Sequence, residues 1–133
     1  MRTVSHMSAW EIVNLREVED SAPAGEVEAR FARKSLGSRD LGVSLFAYAP
    51  GYRSAVGHSH REQEEAYVVV EGSGRVRLDD QVQELAQWDV LRVAPEVVRA
   101  FEGGPDGLRL IAIGGPKPEG GDGVRSEEPW PEG

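Results

Sequence analysis

Apolar residues along this chain recur mostly at every second position, in short runs broken by glycine, proline and acid, the pattern of half-buried strands rather than helices. Residues 27–33 (Val-Glu-Ala-Arg-Phe-Ala-Arg) alternate cleanly and predict a strand whose apolar face packs on a barrel or a partner subunit. Residues 43–48 predict another strand. It ends at Pro50-Gly51, where proline cannot donate to a ladder and glycine can turn. Residues 65–70, rich in β-branched and aromatic side chains, read as a buried strand. Gly72-Ser73-Gly74 reads as a tight hairpin turn returning along residues 75–78. Asp79-Asp80 suits a second hairpin into residues 81–85, although the glycine such turns favour is missing. Residues 89–93, 97–102 and 108–113 supply the remaining strands, the last two separated by residues 103–107. Residues 10–18 suit an edge strand, 19–25 a loop around Pro23, and 36–40 a turn. Many short strands with turn signals between them point to an all-β barrel or sandwich.

The ends of the chain differ from this pattern. Ser5-His6-Met7 resembles a vector-derived remnant, so residues 1–8 are read as a tag remnant or disordered N-terminus, and His6 is set aside. Residues 9–117 form the barrel, since 133 residues hold one sizeable core. Residues 118–133 turn to glycine, proline and acid and predict a flexible acidic tail, unanchored rather than docked through Trp130.

Composition narrows the chemistry. With no cysteine there are no disulfides, thiolate zinc sites or cysteine nucleophiles. A formal net charge of −8 argues against nucleic acid and anionic membrane as partners. No run is apolar enough for a signal peptide or a membrane span, so a soluble cytoplasmic protein is expected.

One cluster carries candidate chemistry. In an extended segment His58 and His60 project to the same side, and Glu65 opens the next strand on the face of Tyr67 and Val69. A carboxylate on that otherwise apolar face needs a partner. Spacing alone leaves two readings open: three groups sharing one ion, or surface histidines beside a solvated glutamate.

The run His58-x-His60, four residues, Glu65, six residues, Gly72 resembles the first motif of the cupin superfamily. That motif opens with a glycine where this chain has Tyr52, with Gly51 one place earlier. The resemblance covers roughly residues 43–114 and implies a cupin-type double-stranded β-helix, or jelly-roll, barrel. It implies that His58, His60 and Glu65 bind a divalent metal, with Fe, Mn, Zn or Ni as candidates. Laid on residues 88–103, the second cupin motif keeps its spacing but loses its residues: Trp88 for Gly, Ala94 for Pro, Glu96 for Gly, Arg99 for the last metal histidine, Gly103 for Asn. Trp88 in place of the turn glycine suggests a different turn or an aromatic lid over neighbouring surface, with simple packing as the favoured expectation.

Arg99 has two readings. Pointing inward, it forms a bidentate pair with Glu65 and replaces the metal. Turned aside, or bound to an anionic ligand group, it leaves a two-His, one-carboxylate set for the ion. The two conflict, because like unit charges about 4 Å apart cost about 4 kcal/mol at an effective dielectric of 20, and a divalent ion doubles that. The first functional reading is therefore a metal-dependent cupin acting on a small molecule, a dioxygenase or isomerase, with Tyr67 and Arg99 as ligand-binding residues. The second is a metal-free binding or sensing module in which Arg99 pairs with Glu65 or with an anionic ligand. A small anionic substrate is accommodated if Arg53, Arg61 or Arg99 lines the cavity. By resemblance, a homodimer is expected in either case.

Overall fold

Period-two patterning produces eight strands and a single turn of α-helix in the computed structural model, which describes residues 9–22 and 25–131. The expected remnant at residues 1–8 lies outside the described residues, as do Pro23 and Ala24 of the expected loop. Strand β1 (Val27–Phe31) pairs antiparallel with β2 (Gly42–Tyr48), Phe31 standing opposite Ser44. Between them α1 (Arg33–Leu36) makes one turn and ends at Gly37, whose φ of 64° closes the helix.

Two long strands organise the barrel. β4 (Glu65–Leu78) and β7 (Arg99–Gly114) pair antiparallel along nearly their whole lengths, from Glu65 opposite Gly114 to Leu78 opposite Arg99. Each pairs with different neighbours at its two ends. β4 takes β6 (Val90–Val93) along its first half and β5 (Gln81–Leu85) along its second. β7 takes β3 (Gly57–His60) at its start and β2 at its end. This exchange of partners curls the sheet into a double-stranded β-helix around Tyr67, Val69, Val76, Leu85, Val93, Phe101, Leu108, Leu110 and Ala112.

The hairpin expected at Gly72-Ser73-Gly74 is not formed, because β4 runs straight through it. Register shifts between Val69 and Glu71, and between Gly72 and Gly74, bend the strand without reversing it. Gly72 sits at φ 76°, and a Cβ there would fall 2.1 Å from the Gly107 carbonyl oxygen. The glycines mark a close crossing of two continuous strands. For the same reason the two strands expected at residues 97–102 and 108–113 are one, β7. The second hairpin holds, with Leu78 opposite Gln81 across Asp79-Asp80 and a positive φ of 54° at Asp79.

Residues 10–18 form no edge strand. The Asn14 side chain accepts a hydrogen bond from the Arg16 amide at 2.8 Å and nucleates a 3₁₀ turn, Leu15–Glu17, a local bond that competes with pairing on a sheet. Trp88 does not pack. Its amide donates to Val69 O at 2.7 Å, and Asp89 accepts from the Ala86 amide at 2.8 Å. These bonds hold residue 88 at φ 73° and turn the indole out, 68 % exposed.

The C-terminal segment is anchored rather than unattached. β8 (Gly123–Ser126) pairs antiparallel with β3, His60 opposite Gly123. Trp130 is 5 % exposed, donates from Nε1 to Ser54 O at 2.7 Å, and carries the Arg53 guanidinium 4.4 Å over its ring. Its low apolar content does not prevent docking, because backbone pairing and one aromatic anchor supply the contacts. Residues 132 and 133 lie outside the described residues. Among the described residues no helix is long and apolar enough to cross a membrane.

Candidate metal centre

β3 and β4 bring the three sequence-identified donors together. His58 Nε2 lies 3.5 Å and His60 Nε2 lies 3.3 Å from Glu65 Oε1, and the two imidazole rings stand edge to face with centroids 5.2 Å apart. Alternation along β3 puts both rings on one face, and the start of β4 puts Glu65 beneath them. The ligand atoms of all three lie within 4.8 Å of one another. Donor atoms about 2.0–2.2 Å from a shared first-row ion stand about 3.0–3.5 Å apart, so both N···O separations suit a common ion.

Glu65 is held ionised. Burial pushes its pKa up, but the His58 imidazole and Tyr67 hydroxyl donating toward it, with the electrostatic influence of the two neighbouring rings, outweigh burial and hold it at about 2. Tyr67, 2 % exposed and in the core beside Phe101, donates its hydroxyl to Glu65 Oε1. Burial and then the Glu65 charge push the Tyr67 pKa up, so the phenol stays a donor.

Sequence reasoning missed Asp122, which the expected tail carries. Asp122 Oδ1 lies 2.9 Å from His60 Nδ1, while its Oδ2 accepts from the Glu62 and Gln63 amides at 2.7 and 2.8 Å. Burial raises the Asp122 pKa, but those amides and His60 outweigh it and bring it down to about 2. A carboxylate fixed in this way assigns the proton to Nδ1 and leaves the Nε2 lone pair facing Glu65. His60 Nε2 is buried without a hydrogen-bond partner. In the neutral imidazole that lone pair faces an ionised carboxylate at 3.3 Å, a repulsive contact that a proton or a metal cation between the two atoms relieves. The residues present therefore fit a divalent metal. No signal in the sequence pointed to Asp122, because it lies 62 residues from His60 in a stretch without strand patterning.

Arg99 takes the second arrangement as far as its own contacts go: it turns aside. It is fully buried, and its guanidinium donates to Ala94 O and Pro95 O at 3.3 Å and to His58 O at 3.5 Å. Among the described residues it makes no ion pair with Glu65, whose partners are His58, His60 and Tyr67. A turn closed by the Val97 amide donating to Ala94 O at 3.3 Å sets the carbonyls of residues 94 and 95 within reach of the guanidinium.

At the triad opens a cavity of about 750 Å³, lined by His58, His60, Glu65 and Ala112 together with Phe31 and Phe46. Arg99 and Tyr67, expected as ligand-binding residues, are buried and do not line the cavity; Arg53 and Arg61 do not line it either. The cations that do line it are Arg33, Lys34 and Lys117.

Comparison with known proteins agrees with this architecture. No curated protein sequence matches the chain. Among solved structures, a cupin protein from Bacteroides fragilis superposes with a TM-score of 0.69 at 22% identity over 83% of this chain and 86% of that one. A sugar phosphate isomerase from a cupin superfamily, from Silicibacter pomeroyi, gives 0.66 at 21% identity over 81% and 77%. The salicylate 1,2-dioxygenase of Pseudaminobacter salicylatoxidans gives 0.60 at 16% identity over 70% of this chain and 27% of its own. These identities establish likeness of fold. The cupin domain family model matches residues 44–114, more than half of the chain, and with the barrel and its paired histidines this chain belongs to the cupin superfamily.

Proposed function

We propose that this cupin binds a divalent transition metal through His58, His60 and Glu65 and acts in the cytoplasm on a small molecule held in the cavity they line, as a dioxygenase or an isomerase. The observation that carries the proposal is the buried His60 Nε2, which makes no hydrogen bond and lies 3.3 Å from Glu65 Oε1 while Asp122 engages the ring's Nδ1. Such a metal, when bound, supplies Lewis acidity or oxygen activation at positions that three protein ligands leave open. The chain's residues do the rest. Tyr67 holds Glu65 through its hydroxyl, Asp122 holds the His60 ring, and Phe31 and Phe46 give the cavity an apolar surface. The isomerase and dioxygenase among the similar folds are in keeping with this class of chemistry.

Metal analysis of protein purified without a metal-affinity step tests the proposal. About one equivalent of a transition metal is expected in the wild type and almost none in His58→Ala/His60→Ala or Glu65→Gln. A wild type that takes up no Fe, Mn, Zn or Ni on addition refutes it. Asp122→Asn keeps the ligands but loses the fixed carboxylate, and should weaken metal binding by about 10–100-fold without unfolding the barrel.

We also propose a homodimer. On the outer face of the sheet Ile111, Val68 and Val90 stand in register across β7, β4 and β6, with Val90 68 % exposed. Light scattering should return twice the chain mass, and Val90→Glu should shift it toward the single mass. A single mass for the wild type at high concentration refutes the dimer.

A further inference from the structure

The chain has only two lysines, Lys34 and Lys117, and both line the cavity at the triad together with Arg33. They come from separate elements, α1 and the connection after β7, and the fold brings them to one opening. The two carboxylates that line the cavity are already engaged: Glu65 by His58, His60 and Tyr67, and Asp122 by His60 and two backbone amides. Arg33 donates to carbonyls, Arg39 O at 3.1 Å and Gly115 O at 3.3 Å, which leaves its charge unneutralised. Among the described residues neither lysine has an ion-pair partner, although the chain carries 23 acidic side chains against 15 basic ones. A cationic rim on a protein of net charge −8 runs against the composition. The wall of the same cavity presents Phe31, 51 % exposed, edge to face with Phe46 at 5.5 Å.

We propose that the cavity selects a small organic anion, its carboxylate or phosphate group held at the rim by Lys34, Lys117 and Arg33 and its apolar body lying against Phe31 and Phe46. The inference rests on the metal reading only in supposing that the far end of the ligand meets His58, His60 and Glu65. Low-dielectric walls focus the field of the rim, which adds affinity for anions and screens with salt.

Calorimetry on the full chain, metal-free and metal-loaded, tests this with benzoate and phenyl phosphate as probes and benzamide as their neutral counterpart. At least one anion should bind about tenfold more tightly than benzamide, less so as salt is raised. Which anion wins identifies the head group. Lys34→Gln/Lys117→Gln removes two exposed charges that contact no metal ligand, and should weaken the anion about fivefold to tenfold while metal content and benzamide binding stay unchanged. Anions that bind no better than benzamide, including no measurable binding of any probe, overturn the proposal, as does an anion affinity indifferent to the lysines. The wild-type comparison and its salt dependence stand even if the double variant fails to fold. Stoichiometric metal without anion preference refutes this inference alone. Lysine-dependent anion binding in a chain that takes up no metal refutes the metal reading alone.

Discussion

Two residues in the second-motif region show how a position can keep its geometry while changing its side chain. At Trp88 the turn keeps the left-handed conformation that a glycine would adopt freely, and the indole lies 68 % exposed, so little packing offsets the strain. A left-handed non-glycine residue costs about 1–2 kcal/mol, and glycine returns part of that through its looser unfolded chain. Trp88→Gly should therefore stabilise the protein by about 0.5–1 kcal/mol in urea denaturation. A destabilised variant would mean that the ring makes contacts its exposure does not suggest. Arg99 is the opposite case, a fully buried side chain at the position of the missing metal histidine, which supports three carbonyls instead. Arg99→Ala opens a cavity at a fully buried site and removes three hydrogen bonds, although Pro95 O and Ala94 O keep the His60 and Val97 amides, and should cost about 3 kcal/mol or more, read from the same denaturation curves.

At the scale of elements, the C-terminal segment joins fold to site. β8 completes the sheet edge beside β3, and the residue just before it, Asp122, fixes His60, one of the three candidate metal ligands. Trp130 fastens the end of the segment through its Ser54 bond and its contact with Arg53. Trp130→Ala should cost about 3–4 kcal/mol of stability, and deleting residues 118–133 should weaken metal binding along with stability, as measured by metal titration of the shortened chain. Metal affinity unchanged by the deletion would show that Asp122 does not govern His60. The sequence revealed His58, His60 and Glu65 because strand alternation is local: period two alone puts the two imidazoles on one face. It hid Asp122 and the two lysines, because they reach the cavity through long-range pairing that no local pattern encodes. It also misread Gly72-Ser73-Gly74, since a glycine at positive φ serves a bulge as readily as a hairpin. Only the approach of Gly107, far along the chain, decides between them.

On the scale of the whole molecule, acid stability follows from where carboxylates are held. Asp20, Glu65, Glu102 and Asp122 all have pKa values below their ordinary ones. Glu102 shows the balance: partial burial raises it, but Arg75 and Arg53, with Nε atoms 2.8 and 2.7 Å from its two oxygens, bring it down. For a carboxyl group whose folded pKa lies below the unfolded one, the unfolded chain binds more protons in acid. Its contribution to stability is thus complete above the unfolded value and is lost as pH falls through the folded one. The ordinary values are 4.5 for Glu and 3.8 for Asp, and Glu65 and Asp122 descend to about 2, so stability should fall from about pH 4.5 down to about 2. The net charge of −8 opposes this weakly, since protonating exposed acids relieves self-repulsion, but those groups are solvated and screened. The urea midpoint should therefore stay nearly level from pH 7 to 5 and decline below that. Glu102→Gln, which starts lower at pH 7, should decline less steeply, because one of the protons driving the loss has been removed. A wild-type midpoint still level at pH 3, or a variant curve parallel to it throughout, would show that these ion pairs do not set acid stability.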